Sequence, residues 1–565
     1  MDNKRLLTPW GENYNRENWQ VYPRPQMRRD SFLSLNGAWD FCIANENTAP
    51  NFDSVIEVPF APQSILSGIK KDNQKDEILH YRKEFELPEG FNKGRVLLHF
   101  GAVDAISEVY INGQSVGKHI GGYDAFSFDI TDYLADKNII TVKVSDTLDG
   151  VLPYGKQCKK RGGMWYTPVS GIWQSVWLES VPEEYISRLI IDADDRQATV
   201  KAVGISEGVI IIDTPDGQVS YPLYNGEVVF APENPRLWSP ESPYLYSFAI
   251  VSGEDRVESY LAFRKLEIKE VEGYPRLCLN GKPYFFHGLL DQGYFSDGIY
   301  TPASPAAYEF DIVKMKALGF NMLRKHIKVE PEQFYYDCDR LGMVVFQDMV
   351  NNGDYSFIRD TVLPTFFLRR LNDKRLHKDK QTRLEFERSM TSSVNQLRNH
   401  PCICYWTIFN EGWGQFCGSK MYEKLKRLDS TRFIDTASGW FDGVESDVDS
   451  KHIYFRKIKL KCGKKPLILS EFGGYSYKPE GHVFNIANTY GYGKFENRED
   501  FCKAVVNLYR EQVLPLVDKG LSAAVYTQVS DVEDETNGLL TYDRKVEKIV
   551  PEEFAEVSSK LTKNN

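Results

Sequence analysis

The first part of the chain alternates short apolar runs with polar turn residues. Residues 96–100 and 139–144 are rich in β-branched and aromatic side chains, and helical periodicity is scarce in this region. Asn112 and Gly113 lie between two further apolar runs, which is a strong signal for a β-hairpin. The pattern predicts an antiparallel sandwich of the jelly-roll type over residues 1–182.

A second block of short strands follows over residues 183–266. It contains the apolar runs at 189–193 and 208–213, and the preceding Val181 and Pro182 are typical of a domain boundary. About 85 residues of short strands suit an immunoglobulin-like β-sandwich, whose domains have roughly 100 residues. We therefore expect a second β-domain in this block.

The pattern changes after residue 266, where short apolar strands alternate with amphipathic helical stretches such as 308–318 and 383–398. Eight such alternations predict a (β/α)8 TIM barrel over residues 267–565. An open doubly wound sheet is the alternative, but no glycine-rich dinucleotide motif follows the first strand. The predicted barrel strands are 284–288, 321–326, 343–348, 403–410, 433–438, 451–455, 466–471 and 522–528.

Composition narrows the class of protein without identifying it. The 565 residues are 42% hydrophobic and 26% charged, which is typical of a soluble globular protein. The net charge of −10 argues against general affinity for nucleic acid or an anionic membrane surface. The sequence has neither a transmembrane stretch nor the apolar core of a signal peptide. None of the nine cysteines forms a Cys-x-x-Cys pair, so we expect free thiols in a cytoplasmic protein.

One connection of the predicted barrel is unusually long. Residues 351–382 follow the third strand before the next helix begins, and they are rich in aromatic side chains. Because the active site of a barrel lies at the C-terminal ends of its strands, we expect this insert to overhang the site. The alternative is a surface excursion that is packed by its own aromatic residues. Those residues are Tyr355, Phe357, Phe366 and Phe367.

Two glutamates stand at the ends of predicted barrel strands. Glu411 directly follows the strand at 403–410, and Glu471 ends the strand at 466–471. A carboxylate after an apolar strand is costly to bury unless another group pairs with it or the chemistry uses it. Either residue alone would be interpreted as salt-bridged or exposed. Two carboxylates facing each other about 5–5.5 Å apart are, however, what retaining glycoside hydrolysis requires.

Several motifs resemble those of glycoside hydrolase family 2, the family of β-galactosidases and β-glucuronidases. The resemblance covers nearly the whole chain and implies the order jelly roll, immunoglobulin-like sandwich, TIM barrel, in agreement with the three blocks. No further β-domain follows, so we expect a short member. The motifs lie at residues 34–41, 121–131, 171–178 and 277–283, at Asn410 with Glu411, and at 470–473.

The resemblance implies roles for five residues. Glu411 matches the family's general acid/base, and Glu471 matches its nucleophile, which has to stay ionised. Asn410 matches the residue that hydrogen-bonds the 2-hydroxyl of the sugar. Arg324 resembles the arginine that keeps the nucleophile charged, since a nearby cation lowers a carboxylate pKa. Tyr454 is expected to donate a hydrogen bond to Glu471, the alternative being a core aromatic residue.

Other positions depart from the family pattern and bear on the substrate. His326 stands two rather than three residues after Arg324, so it is either a sugar contact or a packing histidine. Lys328 either points into the pocket or is a solvated charge, and Asp291 either accepts sugar hydroxyls or caps a loop. Gln528 occupies the usual stacking position of a tryptophan, which predicts a more polar sugar floor. The expected aromatic wall consists of Trp413, Trp440 and Tyr475.

We expect neither a cofactor nor a required metal. Some family members bind Mg²⁺ beside the acid/base through a glutamate and a histidine after the third strand. This chain offers Asp348 there, without a histidine two residues later. Asp348 is therefore interpreted as a hydrogen-bond anchor in the pocket. The expected partner is a carbohydrate or glycoconjugate, and the resemblance leaves open a homo-oligomer.

The sequence thus favours an exo-acting retaining β-glycosidase of the β-galactosidase type. The first alternative is a hydrolase of β-uronides, either glucuronides or galacturonides. The Asn-x-Lys pair with which glucuronidases of the family read the sugar carboxylate is missing after the seventh strand, although Arg324, Lys328 or Arg456 offers another cation. A non-catalytic carbohydrate-binding protein is the third possibility, and the two glutamates argue against it.

Overall fold

The structure is a computed structural model that describes residues 6–363, 373–441 and 443–563. Phe366 and Phe367, which the sequence places in the aromatic insert, lie outside the described residues. No helix in the described part is long and apolar enough to cross a membrane.

The predicted jelly roll is confirmed as two antiparallel sheets that enclose an apolar core. One sheet has the strand order β1-β12-β5-β9, the other has the order β3-β2-β4-β10-β7-β8, and β6 pairs with β11. Trp39, Tyr81 and Leu178 are among the buried residues between them. The strands are β1 (Phe32–Ser34), β2 (Gly37–Asn45), β3 (Ser54–Val58), β4 (Glu77–Phe85), β5 (Arg95–Phe100), β6 (Val103–Asp104), β7 (Ile106–Ile111), β8 (Gln114–Ile120), β9 (Phe126–Asp129), β10 (Asn138–Ser145), β11 (Gly171–Ile172) and β12 (Val176–Val181).

The predicted hairpin joins β7 to β8. Ile111 pairs with Gln114, so Asn112 and Gly113 form a two-residue loop. Both have positive φ angles, 51° for Asn112 and 80° for Gly113. Asparagine and glycine tolerate this left-handed backbone better than other residues, and the turn matches the twist of the paired strands.

The second β-region is a run of seven antiparallel strands. Their order is β13-β14-β17-β16-β15-β18-β19. If the strands are lettered A to G along the chain, this order reads A-B-E-D followed by C-F-G, which is consistent with an immunoglobulin-like sandwich. The boundaries at residues 182 and 266 stay predictions. The strands are β13 (Arg188–Ala193), β14 (Ala198–Val203), β15 (Glu207–Thr214), β16 (Gly217–Tyr224), β17 (Glu227–Phe230), β18 (Tyr246–Ser252) and β19 (Asp255–Leu261).

Eight parallel strands form the predicted barrel. Their order is β27-β26-β25-β24-β23-β32-β29-β28, and the two outer strands contact each other to close the ring. These strands are buried on both faces, which explains why they read as nearly continuous apolar runs. They are β23 (Phe286–Asp291), β24 (Met322–Lys325), β25 (Val344–Asp348), β26 (Ile403–Asn410), β27 (Phe433–Ser438), β28 (Asp449–Ile453), β29 (Leu467–Gly473) and β32 (Leu521–Thr527).

The sixth barrel strand differs from its prediction over 451–455. It begins and ends two residues earlier, and a bulge lies between Lys451 and His452. Tyr454 and Phe455 have the high β-propensity that suggested a later end, but they lie beyond the ladder, and Phe455 is 77% exposed. Tyr454 therefore projects from the C-terminal rim of the barrel.

Small sheets and helices complete the structure. A short sheet of β20 (Leu266–Val271), β21 (Tyr274–Leu279) and β22 (Lys282–Pro283) precedes the barrel, and β30 (Tyr475–Tyr477) pairs with β31 (Gly493–Phe495) after the seventh barrel strand. The α-helices are α1 (Pro9–Glu12), α2 (Ala306–Ala317), α3 (Glu332–Leu341), α4 (Lys380–Leu397), α5 (Gly418–Leu428), α6 (Arg498–Leu508), α7 (Leu514–Val517) and α8 (Pro551–Leu561). Short 3-10 turns span Arg16–Trp19, Pro25–Met27, Thr131–Tyr133 and Asp373–Arg375, and π-turns span Ile358–Val362 and Tyr509–Val513.

One loop of the jelly-roll region reaches the barrel mouth. We call residues 154–167 the rim loop. The backbone N–H of Tyr154 donates to the carbonyl of Asn351 at 3.0 Å, and that of Thr167 donates to the Glu533 carboxylate at 2.9 Å. The rim loop is thereby held between the aromatic insert and the segment that follows β32.

A buried ion cluster joins the jelly roll to the second β-region. The Arg29 guanidinium donates to Asp255 of β19 at 2.8 Å and to Glu179 of β12 at 3.3 Å. Arg24 also donates to Glu179, at 2.6 Å. Glu179 is fully buried, which raises its pKa, but Arg24, His99 and Arg29 outweigh burial and hold the pKa of that carboxyl well below its usual range.

Replacing this carboxylate should destabilise the protein. Glu179→Gln leaves two buried arginines short of a counter-charge, so we expect the free energy of unfolding to fall by about 3–5 kcal/mol. Because the folded pKa is depressed, the contribution is present above the unfolded pKa and is lost as pH falls through the folded pKa. Urea unfolding of the wild type and the variant at pH 7 measures the effect. Glu183→Gln makes the same change at the exposed ion pair with Arg95 and should cost far less; equal losses would contradict the role of the cluster.

Candidate active site

Glu411 and Glu471 meet at the C-terminal end of the barrel. Glu411 follows β26, Glu471 lies in β29, and a carboxylate oxygen of one is within 4.8 Å of a carboxylate oxygen of the other. The backbone of Glu411 has a φ of 51°, in the left-handed region that non-glycine residues rarely adopt. Strained backbone of this kind concentrates at functional sites, where the surrounding structure holds a side chain in place.

A histidine that sequence reasoning missed lies between the two carboxylates. His452 Nδ1 is 2.9 Å from Glu411 Oε1 and 3.6 Å from Glu471 Oε2. Its Nε2 is 3.4 Å from Arg324 Nη1 and 3.1 Å from Ser438 Oγ. A guanidinium can only donate, so Nε2 is the accepting nitrogen, and Nδ1 carries the proton donated to Glu411. His452 and Tyr454 lie two residues apart at the end of β28, and that spacing was the signal available in the sequence.

Arg324 connects Glu471 to side chains of neighbouring barrel strands. Its guanidinium donates to Asp348 at 3.0 Å, to Glu471 at 2.9 Å and to the Asn410 side-chain oxygen at 2.8 Å. The arginine is only 1% exposed. Since the Asn410 oxygen accepts from Arg324, the asparagine amide N–H groups are left to donate elsewhere.

The environment of Glu471 favours its ionised form. Burial raises the pKa of this carboxyl, but His452, the Arg324 guanidinium and other donors outweigh burial and lower it below its usual value. One of these donors is the Tyr454 hydroxyl, which bonds Glu471 Oε2 and lies 2.9 Å from Thr527 Oγ1. The Tyr454 ring stacks on Tyr492 at a centroid distance of 3.9 Å. The contact expected between Tyr454 and Glu471 is present.

Asp348 anchors two neighbours in the pocket. One oxygen accepts from Arg324, and the other lies 2.9 Å from His326 Nδ1. Burial lowers the pKa of His326, which favours a neutral imidazole, and the His326 ring is 6.5 Å from the ring of Trp413. Asp348 therefore has the contacts expected of a hydrogen-bond anchor.

Lys328 and Asp291 are engaged inside the protein rather than directed at a sugar. The Lys328 ammonium donates to the carbonyl oxygens of Gly293 and Tyr300 and to Glu330, which uses its three donors. Asp291 accepts from Lys325 at 2.6 Å. Burial lowers the pKa of Lys328 to about 8. Both alternatives for Lys328, a residue pointing into the pocket and a solvated charge, overlooked Glu330, whose carboxylate pairs with it inside the protein.

Of the three residues expected to form an aromatic wall, Trp413 and Trp440 lie near histidines of the site, whereas Tyr475 packs against a phenylalanine. Trp413 is buried and stacks on Trp165 of the rim loop at 5.4 Å, and Trp440 lies 5.7 Å from His452. Tyr475 packs against Phe495 at 5.5 Å. Gln528 is fully buried and donates to the Asn537 side chain at 2.8 Å, so it offers no sugar floor.

The insert and the rim loop add residues that the sequence did not assign to the site. The Tyr355 ring lies 5.6 Å from the Trp413 ring and 5.0 Å from the Trp165 ring, as expected of an insert near the pocket. Lys156 of the rim loop has its ammonium 4.8 Å from the Trp413 ring centroid. No sequence pattern signals a contact between separate domains, so Lys156 and Trp165 were missed.

The fold and the paired carboxylates define a glycoside hydrolase with a TIM-barrel catalytic domain. A model described as the sugar binding domain of glycosyl hydrolases family 2 matches residues 62–182, and the TIM barrel domain model of that family matches residues 270–551. The chain belongs to glycosyl hydrolases family 2.

Individual relatives carry names from two groups of activities. A β-galactosidase of Thermoanaerobacter pseudethanolicus is 26% identical over 72% of this chain, and the chain spans about half of that relative, 55% of its length. The solved β-D-glucuronidase of Dictyoglomus thermophilum is similar with a TM-score of 0.75 at 18% identity, covering 95% of this chain and 98% of that one. A galacturonate-bound β-galacturonidase of Eisenbergiella tayi has a TM-score of 0.68 at 18% identity, covering 97% and 99%.

Removing the tyrosine hydroxyl should change the acid limb of the activity profile. Tyr454→Phe keeps the ring stacked on Tyr492 but takes a hydrogen bond from ionised Glu471, so the pKa of Glu471 should rise. The acid limb of kcat/KM should then move to higher pH, and kcat/KM at the optimum should fall about 10- to 100-fold. The pH profiles of wild type and variant measure both effects, with Tyr477→Phe as a control for the loss of a tyrosine hydroxyl. An unshifted acid limb would show that the hydroxyl does not act on Glu471.

Proposed function

We propose that the protein is an exo-acting retaining β-glycosidase that uses Glu411 and Glu471 in a double displacement. The separation of their carboxylate oxygens, within 4.8 Å, carries this proposal. Retaining enzymes have carboxyl groups about 5–5.5 Å apart, whereas inverting enzymes leave about 6.5–9.5 Å for a water molecule.

In the first step, ionised Glu471 attacks the anomeric carbon and the glycosidic bond breaks. Glu411 gives its proton to the leaving oxygen, so the aglycone departs as a neutral alcohol and a glycosyl-enzyme ester forms. In the second step, Glu411 takes a proton from water, the water oxygen bonds to the anomeric carbon, and Glu471 is released. Both glutamates then return to their starting protonation states.

The contacts support an unequal division of roles. Glu471 accepts from Arg324 and Tyr454, which stabilise its negative charge, whereas in the described part of the chain Glu411 has one hydrogen-bond partner, the imidazole of His452 at 2.9 Å. The Glu411 side chain is 15% exposed and that of Glu471 is 6% exposed, so water and a leaving group reach Glu411 more readily. Asn410, fixed by Arg324, is proposed to donate to the 2-hydroxyl of the sugar.

We place a β-uronide, a glucuronide or a galacturonide, ahead of the β-galactoside that the sequence favoured. Two solved structures that share this fold over nearly their whole length are named as a β-glucuronidase and a β-galacturonidase. The named β-galactosidase supports the galactoside as second candidate, although the chain spans only 55% of it. Arg324 and Lys328 are occupied by protein acceptors and are not proposed to bind a uronate carboxylate.

A panel of aryl glycosides tests the glycone. We expect kcat/KM for nitrophenyl β-glucuronide or β-galacturonide to exceed that for nitrophenyl β-galactoside at least about 10-fold. A preference for the galactoside would establish the second candidate. Inactivity on every β-glycoside, with a folded protein, would refute the enzymatic proposal.

Removal of the nucleophile should abolish turnover without unfolding the protein. For Glu471→Gln we expect kcat to fall by at least about 10⁴-fold, because the amide cannot form the glycosyl-enzyme. Glu480→Gln makes the same chemical change at an exposed position and should retain activity. Circular dichroism of both variants checks the fold, and near-normal turnover of Glu471→Gln would exclude it as the nucleophile.

Removal of the acid/base should be partly rescued by added azide. In Glu411→Ala, an aryl glycoside with a good leaving group still forms the glycosyl-enzyme, since departure then needs little protonation. In the second step water has no base to take its proton, whereas azide is an anion that needs none. We therefore expect added azide to raise the rate and to form a β-glycosyl azide. Proton NMR identifies the anomeric configuration; an α-azide or no rescue would contradict the assignment.

A further inference from the structure

Lys156 is a buried cation with no hydrogen-bond or ion-pair partner among the described residues. It is 6% exposed, and its ammonium makes no hydrogen bond or ion pair with any other residue in the described part of the chain. The nitrogen lies near two aromatic rings, 4.8 Å from the centroid of Trp413 and 6.0 Å from that of Tyr166. Ring faces attract the charge but supply no hydrogen-bond acceptor of carboxylate strength.

Other buried cations of the barrel region differ from Lys156. Arg324 is paired with Glu471 and Asp348, and Lys548 is paired with Asp531 at 2.6 Å. A lysine that is removed from water pays a desolvation penalty that an acceptor normally offsets. Lys156 has no such acceptor among the described residues, and its ammonium nitrogen is not among the fully buried polar atoms, so it is open to an acceptor that a ligand brings.

Trp413 and His326 link Lys156 to the region of the catalytic carboxylates. Its ammonium lies over Trp413, which is two residues after Glu411 and faces His326. Both Lys156 and Glu471 act electrostatically on His326, so the imidazole lies within the fields of the cation and of the carboxylate. A sugar bound at Glu471 beside His326 is therefore within the region that Lys156 faces.

Glu535 does not neutralise this lysine. The Glu535 carboxylate accepts a hydrogen bond from the Tyr166 hydroxyl and forms no ion pair within 4.0 Å in the described residues. Burial raises the pKa of Glu535 to about 7, with Lys156 opposing the shift, so a large share of this group is protonated near neutral pH. Within the described residues, no carboxylate therefore lies at ion-pair distance from the Lys156 ammonium.

We infer that Lys156 of the rim loop binds the carboxylate of a uronide glycone and is the residue that selects an acidic sugar. This inference rests on the proposed function of the same site. The ammonium is a single point donor that can pair with one carboxylate, and the substrate supplies the anion that the protein leaves out. The glycone is therefore read from the jelly-roll side, whereas the chemistry is carried by the barrel.

The test compares matched acidic and neutral sugars. For wild type and Lys156→Met, kcat/KM is measured with nitrophenyl β-galacturonide and β-galactoside, and with β-glucuronide and β-glucoside. We expect the acidic-to-neutral ratio to fall about 10- to 100-fold in Lys156→Met, mainly through KM, and to recover in part in Lys156→Arg. Lys160→Met makes the same substitution at an exposed position of the rim loop and should leave the ratio within about 2-fold.

Two outcomes overturn the inference: an unchanged ratio, or equal losses with both sugars, which would mean a structural role. Thermal unfolding verifies the fold, and Lys156→Gln replaces Lys156→Met if the latter does not fold.

Inhibition by free galacturonate and galactose separates this inference from the proposed function. If the wild type cleaves only neutral glycosides, the β-uronide proposal fails, and equal inhibition of wild type and variant by galacturonate then overturns the role of Lys156 as well. Galacturonate inhibition that is lost only in the variant would support carboxylate binding on its own.

Discussion

The guanidinium of Arg324 is the interaction on which the rest of the site depends. A buried cation is tolerable only when its donors meet acceptors, and those acceptors come from three other barrel strands: Asp348, Asn410 and Glu471. A slip of one residue in any of these strands would turn its acceptor to the opposite face. The bonds of this one arginine therefore depend on the register of the barrel strands. They hold Glu471 directly and hold Asn410, the residue before Glu411.

The sequence was informative wherever one strand or one residue type decides the outcome. The strands Ile403–Asn410 and Phe433–Ser438 have the predicted bounds, because apolar runs that are buried on both faces end abruptly at polar residues. The pair of glutamates was identifiable because carboxylates at strand ends are costly unless used. The resemblance to the family also implied the contact of Tyr454 with Glu471, which is present.

The remaining features depend on distances that a linear pattern does not contain. Lys328 was a candidate for the pocket, but Glu330, two residues later, pairs with it. Both residues follow a barrel strand in irregular backbone, where sequence spacing does not show in which direction a side chain points. Gln528 was expected at the sugar floor, but Asn537 from a later loop draws it inward. His452 was overlooked because histidine within a strand is more often a packing residue than a bridge between two carboxylates.

The wall of the pocket and its reacting groups come from different domains. The rim loop, residues 154–167, shares no strand with the barrel and is held to it by contacts such as that of Thr167 with Glu533. Evolutionary drift in this loop can therefore alter which sugars enter while the machinery for breaking the bond is inherited unchanged. Duplicated copies of such a gene can therefore diverge in substrate specificity before they diverge in reaction mechanism. Laboratory libraries confined to these fourteen positions would vary substrate specificity in the same way.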